Sequence, residues 1–239
     1  MSVEELAYQI TQLGELTLRR RKEPRLQGRE VFEVKLGDEF LMSSLFTESE
    51  RQLAILGLAP LRGRLDVVIG GLGLGFTAVE ALGNPLVSRL LVIDLFQEVI
   101  DWQRRGLVPN GDILTNDPRC ELRQGDFFDL ARTGFDTSSP GRTFDAVLID
   151  IDHTPKHHLA PGNDSLYTTG GLSAVRNQLK PGGTFALWSD DAADEDFTGR
   201  LRSVFGSAAA HNIEFPNPYT LLTSVNAVYV AQKHRSASS

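Results

Sequence analysis

The stretch from residue 65 to residue 94 constrains the fold more than any other part of the chain. Residues 65–69 are a short apolar run rich in β-branched side chains, which is typical of a buried strand. Four glycines follow within six residues, then an apolar segment with helical spacing, and then a second apolar run that ends in Asp94. This order of strand, glycine turn, helix, strand and carboxylate predicts one half of a doubly wound parallel sheet.

The glycines and the acid in this stretch also predict a binding site. Gly71, Gly73 and Gly75 allow a tight turn and let a ligand approach the backbone without a Cβ in the way. Asp94 lies about 20 residues further on, where a carboxylate can accept hydrogen bonds from both hydroxyls of a ribose. We therefore predict a nucleoside site at these residues and the adjoining Leu95; a plain strand-to-helix corner is the alternative.

Composition narrows the class of protein. A formal charge of -7 and a pI near 5.3 argue against nonspecific binding of nucleic acid. The single Cys120 excludes an internal disulfide, and no cysteine spacing typical of a metal site is present. Because no long apolar span or signal-like N-terminus is found, we expect a cytoplasmic protein with no membrane partner.

The first sixty residues predict a small β-element ahead of the main sheet. Residues 1–14 are weakly patterned and are expected to form a lead-in helix, and residues 49–58 have helical spacing. Alternating apolar and polar residues predict three strands between these helices, at 15–21, 30–36 and 40–42. We predict an N-terminal β-hairpin element with a linking helix over 1–60, a nucleoside-binding catalytic domain over 61–233 and a disordered tail over 234–239.

Strands and helices alternate after residue 65, which predicts a Rossmann-like, mostly parallel, seven-stranded sheet covered by helices on both faces. Further strands are predicted at 120–128, 144–150 and 184–189, with a closing hairpin at 212–215 and 226–231. Helices are predicted at 76–82, 96–105, 167–179 and 197–205. We expect a polar connection at 112–117, loops at 133–143 and 154–163, and a turn at 181–183.

Carboxylates follow most of the predicted parallel strands. The strand ends fall at Gly71, Asp94, Asp126, Asp150 and Asp190, so four of the five carry an acid. Ligands bind such sheets outside the carboxyl ends of the strands, near the point where strand order reverses. We therefore expect these five positions to meet along one crevice.

These motifs resemble the class I S-adenosylmethionine-dependent methyltransferase superfamily from about residue 65 to residue 232. Within it, the chain is most similar to the spermidine synthases, which are aminopropyltransferases. Residues 144–150 resemble the family segment that carries the catalytic aspartate, and residues 164–167 and 179–183 resemble the family's next two segments. The small N-terminal β-element also matches the family pattern.

The resemblance implies S-adenosylmethionine or its decarboxylated form as co-substrate. The glycines would face the aminoacid or aminopropyl end of the donor, Asp94 would hold the ribose, and Asp126 with Phe127 would select the adenine. A small-molecule acceptor, of polyamine type, is implied, and we predict a homodimer.

The resemblance further implies that Asp150 is catalytic, with Asp152 and His153 beside the reaction. An amine acceptor is protonated at neutral pH, so a carboxylate is suited to hold the ammonium and take its proton. The sulfonium carbon is already activated, and orientation of the acceptor supplies most of the acceleration.

Three positions differ from the family pattern. Gly73 stands where the family has an aspartate that receives the amine of the donor. His153 stands three residues after Asp150, where the family has a second aspartate. Residues 47–50 read Thr-Glu-Ser-Glu, where the family has tyrosine, histidine and glutamate. Three hypotheses therefore stay open: aminopropyl transfer, methyl transfer to an unidentified acceptor, and nucleoside binding without catalysis.

Two possible metal sites compete with simpler interpretations. Asp150, Asp190 and Asp191 suit a magnesium ion, but the acidity continues through residue 196 and favours a solvated loop. His153, His157 and His158 suggest a transition metal, whereas the intervening Pro155 opposes a regular helix and favours a lid. We predict no metal, and we assign Trp188 and Phe128 to the core.

Overall fold

The computed structural model describes residues 3–151, 153–156 and 163–235, and its N-terminal part is a four-stranded antiparallel sheet in the order β1-β2-β3-β4. The strands are β1 Val3–Thr11, β2 Gly14–Glu23, β3 Arg29–Leu36 and β4 Glu39–Ser43. The lead-in helix expected over 1–14 is wrong. Its residues pair with β2 across a two-residue turn, and cross-strand pairing outweighs their weak helical pattern.

The rest of the chain forms a seven-stranded, mostly parallel sheet in the order β10-β11-β9-β8-β5-β6-β7, as predicted. Its strands are β5 Leu65–Gly70, β6 Val87–Asp94, β7 Cys120–Gln124, β8 Phe144–Ile149, β9 Leu179–Ser189, β10 Gly206–Asn217 and β11 Leu222–Lys233. Strands β10 and β11 are the antiparallel closing hairpin.

Seven α-helices occur in the described ranges. They are α1 Glu48–Leu58, α2 Phe76–Gly83, α3 Gln97–Arg104, α4 Gly111–Asn116, α5 Phe127–Thr133, α6 Thr169–Asn177 and α7 Glu195–Phe205. Alternate residues of the central strands face opposite sides, so Val67 and Ile69 pack with α1 to α4 while Val68 packs with α5 to α7. The sheet is therefore doubly wound.

Three local predictions need correction. The strand predicted over 120–128 ends at Gln124, and Phe127 and Phe128 belong to α5. The segment 112–117 is not a polar connection but contains α4, because Leu114 is buried against the neighbouring helices. The turn at 181–183 lies within β9, which begins at Leu179. Leu179 pairs with Phe144 and Thr184 with Ala146, so the residues between them bulge out of the ladder.

The order of strands places a crevice above the centre of the sheet. Strand β5 lies between β6 and β8, and the chain crosses to opposite faces on either side of it. The carboxyl ends of these strands therefore open at the same edge. The first sheet contributes β4 to this edge, and α1 follows β4 directly in the chain.

Candidate functional site

The glycine corner after β5 requires residues without a side chain. Gly71, Gly73 and Gly75 all have positive φ, at +89°, +46° and +85°. A Cβ on Gly71 would lie 2.0 Å from the carbonyl oxygen of Asp150, and one on Gly75 would lie 2.6 Å from Leu114 Cδ1. The corner brings the ends of β5 and β8 into direct contact.

Side-chain amides hold this corner from behind. Gln103 Nε2 donates to the Gly73 carbonyl at 2.8 Å, and Asn110 Nδ2 donates to the Leu74 carbonyl at 2.9 Å. Both amide side chains are buried. The loop carbonyls are thus satisfied inside the protein, which fixes the loop before any ligand arrives.

Backbone amides hold the Asp94 carboxylate in place. Its Oδ2 accepts from the Leu72 amide and its Oδ1 from the Phe96 amide, both at 2.9 Å. Burial raises the pKa of the Asp94 carboxyl, while these backbone amides oppose the rise. The carboxylate thus ties the end of β6 to the glycine corner.

Met42 of β4 covers the corner from the other side. The Leu74 amide lies 2.7 Å from Met42 Sδ and donates to it. A Cβ on Gly73 would lie 2.1 Å from this sulfur. The space beside Gly73, where proteins that the sequence resembles are expected to have an aspartate, is therefore occupied by a thioether from the first sheet.

A cavity of about 1250 Å³ opens between the two sheets. A pocket for one drug-sized molecule has about 300–1,000 Å³, so this cavity has room for two small molecules side by side. The five strand ends all line it, which confirms that they meet in one crevice: Gly71, Asp94, Asp126, Asp150 and Asp190. Gly73, Leu95, Phe127 and His153 line it as well.

Among the described residues, Gly75 is the one predicted site residue that does not line the cavity. Gly75 faces Leu114, Asn110 and Gln103 and shapes the corner from below. Asp152 lies outside the described residues, as do His157, His158 and the part of the tail from residue 236. Their predicted roles stay predictions.

Asp126 and Phe127 begin α5 at the rim of the cavity. Asp126 Oδ1 accepts from the amides of Phe128 and Asp129, so this carboxylate caps the helix. Phe127 is 3% exposed, stacks on Phe135 at 4.8 Å between ring centroids and packs against Gly70. Its ring therefore belongs to the core and also forms part of the cavity wall.

Asp150 lies where β8 ends, opposite α2. Thr77 Oγ1 donates to Asp150 Oδ2 at 2.7 Å. Burial raises the pKa of Asp150 to about 6, although the hydrogen bond from Thr77 lowers it. A carboxyl with a pKa near 6 is ionised for the most part at pH 7 and is suited to accept a proton.

Glu50 of α1 is a buried acid within residues 47–50, a segment for which the sequence pattern predicted no site residue. It is 7% exposed, and its Oε2 has no hydrogen-bond partner. Burial, followed by the negative charge of Asp150, raises the pKa of Glu50 well above its usual range. A signal existed, because Glu50 precedes the buried Leu53 and Ala54 by three and four residues and so shares their apolar helix face.

A chain of hydrogen bonds forms the wall beside Glu50. Trp188 Nε1 donates to Ser49 Oγ at 2.8 Å, and Ser49 Oγ donates to Asn226 Oδ1 at 3.0 Å. Asn226 Nδ2 donates to Asp190 Oδ1 at 2.8 Å, which orients that carboxylate. Trp188 packs against the core, as predicted, but it is only half-buried and also lines the cavity, where its indole N–H has a polar partner.

His153 joins the two sheets across the cavity. Its Nε2 lies 2.9 Å from Glu39 Oε1, at the start of β4. Within the described ranges, no cluster of three or more His, Cys, Asp or Glu side chains is arranged to hold a metal ion. Asp191 is exposed and does not line the cavity, so it does not complete a magnesium site with Asp150 and Asp190.

Comparison with solved structures shows which known fold this chain is similar to. No family model matches the chain. A solved spermidine synthase, in complex with the transition-state analogue AdoDATO, superposes with a TM-score of 0.75 at 19% identity over 97% of this chain and 74% of that one. The fold is therefore that of the solved spermidine synthase, with a mostly parallel seven-stranded sheet and a small antiparallel N-terminal sheet.

Curated relatives narrow the class further. Polyamine aminopropyltransferase 2 of Pseudomonas aeruginosa is 30% identical over 164 residues, which are 64% of this chain and 43% of that protein. Putrescine N-methyltransferase 4 of Nicotiana tabacum is 30% identical over 147 residues, 58% of this chain and 34% of that protein. The match thus spans less than half the length of either relative. By fold and sequence the chain is spermidine synthase-like.

No helix in the described part of the chain is both long enough and apolar enough to span a bilayer.

Proposed function

We propose that the protein is a transferase that moves an aminopropyl group from decarboxylated S-adenosylmethionine to a polyamine-type amine. One observation carries this proposal: the acids at the strand ends converge with the glycine corner in a single cavity large enough for donor and acceptor together. The similarity to aminopropyltransferases and to a spermidine synthase supports it.

The donor is proposed to lie along the glycine corner. The aminopropyl end lies beside the backbone of Gly71 and Gly73, which line the cavity. Asp94 accepts hydrogen bonds from the ribose, and Leu95 lies beside the sugar. Asp126 and Phe127 contact the adenine, Asp126 through the oxygen that does not cap α5. The donor enters as a co-substrate and leaves as a neutral thioether.

The acceptor is proposed to lie beyond Asp150, towards the wall formed by Trp188. Asp150 takes a proton from the bound ammonium, and the freed lone pair of the nitrogen attacks the carbon next to the sulfonium. The new N–C bond forms as the C–S bond breaks, and the electron pair of the C–S bond passes to sulfur. The positive charge thereby moves from sulfur to the product amine. His153 and Asp152 are proposed to lie beside this step.

Methyl transfer to the same kind of amine is the second candidate. It is supported by the similarity to putrescine N-methyltransferases and by Gly73, which offers no carboxylate to the amine of a decarboxylated donor. The bond changes are the same, with the methyl carbon of S-adenosylmethionine as the electrophile.

Calorimetry with the two donors, followed by mass spectrometry of the products formed from 1,4-diaminobutane, tests the proposal. We expect tighter binding of decarboxylated S-adenosylmethionine and an aminopropylated product. Preference for S-adenosylmethionine with a methylated product would establish the second candidate instead. Binding of both donors with no product from amines or phenols would leave a nucleoside-binding protein without catalysis.

A homodimer stays a prediction, which sedimentation analysis tests.

A further inference from the structure

Thr77 bridges two acidic residues from different elements, contacting the side chain of Asp150 and the backbone of Glu50. Thr77 Oγ1 donates to Asp150 Oδ2 at 2.7 Å and lies 3.2 Å from the backbone oxygen of Glu50. Both acids line the cavity, and the charge of Asp150 acts on the Glu50 carboxyl. The two groups therefore form one electrostatic unit, called here the carboxyl pair.

The carboxyl pair has no counter-ion in the described parts of the chain. Neither Glu50 nor Asp150 makes a salt bridge there, and Glu50 Oε2 is buried without a hydrogen bond. The neighbouring Arg51 is directed elsewhere: its Nη1 lies 3.1 Å from Glu80 Oε2, and its guanidinium lies over the ring of Phe76. A buried carboxyl left in this state is costly unless a ligand satisfies it.

We propose that Glu50 is a further substrate-binding residue and that the carboxyl pair holds the reacting ammonium group of the acceptor. This inference rests on the proposed function. An alkylammonium carries one positive charge and three N–H donors, and it suits two acids that line one cavity from α1 and from the end of β8. Glu50 holds the ammonium and Asp150 takes its proton, so the two acids have different tasks.

The carboxyl pair also determines whether a proton is released when the acceptor ammonium binds. The charges acting on Glu50 are those of Asp150 and Glu48, which raise its pKa, and of Arg51, which lowers it and is itself paired with Glu80. The negative charge of Asp150 disfavours ionisation of Glu50, so the proposal includes a proton that the empty pair shares. An arriving ammonium replaces that proton, which passes to the buffer.

Calorimetry of the full-length protein with 1,4-diaminobutane tests this proposal. The donor site is first filled with methylthioadenosine, and titrations are repeated at pH 7 in two buffers of different ionisation enthalpy. For the wild type we expect diamine binding with release of a fraction of a proton up to one. For Glu50→Gln we expect affinity about tenfold or more lower, and less proton release.

Glu48→Gln is the matched control, because Glu48 is exposed and begins the same helix. It should bind the diamine like the wild type. In turnover assays Glu50→Gln should raise KM for the acceptor more than it lowers kcat, and methylthioadenosine should bind it normally.

The outcomes separate the two proposals. Wild-type protein that binds no diamine would overturn the proposed function. Wild-type protein that binds the diamine while Glu50→Gln binds it equally well would overturn only the role of Glu50. Binding of magnesium chloride in place of the diamine, with the same proton release, would overturn the ammonium assignment. If Glu50→Gln does not fold, the wild type alone decides: diamine binding without proton release contradicts the shared proton.

Discussion

The two ends of the cavity satisfy their polar groups in opposite ways. At the glycine corner, Asp94 accepts two backbone amides, and Gln103 and Asn110 hold the loop carbonyls. At the carboxyl pair, Glu50 Oε2 has no partner, and Asp150 Oδ2 accepts only from Thr77 among the described residues.

The glycine corner is therefore a preorganised binding surface, whereas the carboxyl pair lacks a positively charged partner in the described part of the chain. A loop whose carbonyls are bonded inside the protein holds its shape whether or not a nucleoside is bound, and so binding one costs little, although Gln103 Oε1 has no partner among the described residues. A pair of buried acids without a counter-ion gains most when a cation arrives. The comparison predicts that changes at the carboxyl pair alter chemistry and charge, whereas changes at the glycine corner alter binding and shape.

Asp150→Asn should give the largest effect and the cleanest separation of the two ends. Because the amide cannot take a proton, turnover should fall about 10²–10⁴-fold. The affinity for methylthioadenosine should not change, since the glycine corner is intact. Single-turnover kinetics and calorimetry measure the two quantities. Unchanged turnover would remove Asp150 from the reaction, and His153 would then be the first base to examine.

Asp94→Ala tests the other end. The ribose loses its acceptor, and the amides of Leu72 and Phe96 lose theirs, so affinity for methylthioadenosine should fall about 100-fold or more. The free energy of unfolding should also fall by about 1–3 kcal/mol. Asp112→Ala, at an exposed position in α4, is the control. Normal nucleoside binding by Asp94→Ala would show that the ribose assignment is wrong.

Stability should depend on pH through the carboxyl pair. The pKa of Asp150 is raised to about 6 in the folded protein and is about 3.9 in an unfolded chain. The folded state therefore binds more protons between these values, and this contribution to stability is lost as pH rises from 4 through 6. Other groups also titrate, so the wild type is compared with Asp150→Asn.

The Asp150→Asn variant should gain stability relative to the wild type as pH rises from 4 to 7, by at most about 3 kcal/mol. Urea unfolding at both pH values measures this difference. A difference that does not change with pH would mean that the Asp150 carboxyl titrates normally. Initial rates of the wild type should rise with pH through about 6 for the same reason.

Met42→Leu should have the smallest effect. The substitution preserves volume and removes only the acceptor for the Leu74 amide, so the free energy of unfolding should fall by less than about 1.5 kcal/mol. Nucleoside affinity should stay within about tenfold of the wild type. A larger loss of affinity, found by calorimetry, would show that the first sheet helps to hold the glycine corner.

Most of the central sheet was predictable because its patterns are local and strong. Apolar runs followed by glycine or an acid predicted strands β5 to β8, and the same signals predicted that Gly71, Asp94, Asp126 and Asp150 share a crevice. Errors arose where tertiary contacts outweighed local pattern. Strand β1 is defined by pairing with β2, and α4 by burial of Leu114.

The sequence by itself determined the doubly wound sheet and the acids at its edge, since hydrophobic period and glycine position act within a few residues. Only the tertiary structure decided which groups lie opposite those acids. Met42 and Glu39 reach the site because the first sheet folds over the strand ends, and Glu50 because α1 packs beside them. These contacts join residues far apart in the chain, and no local pattern specifies the partner of a buried side chain.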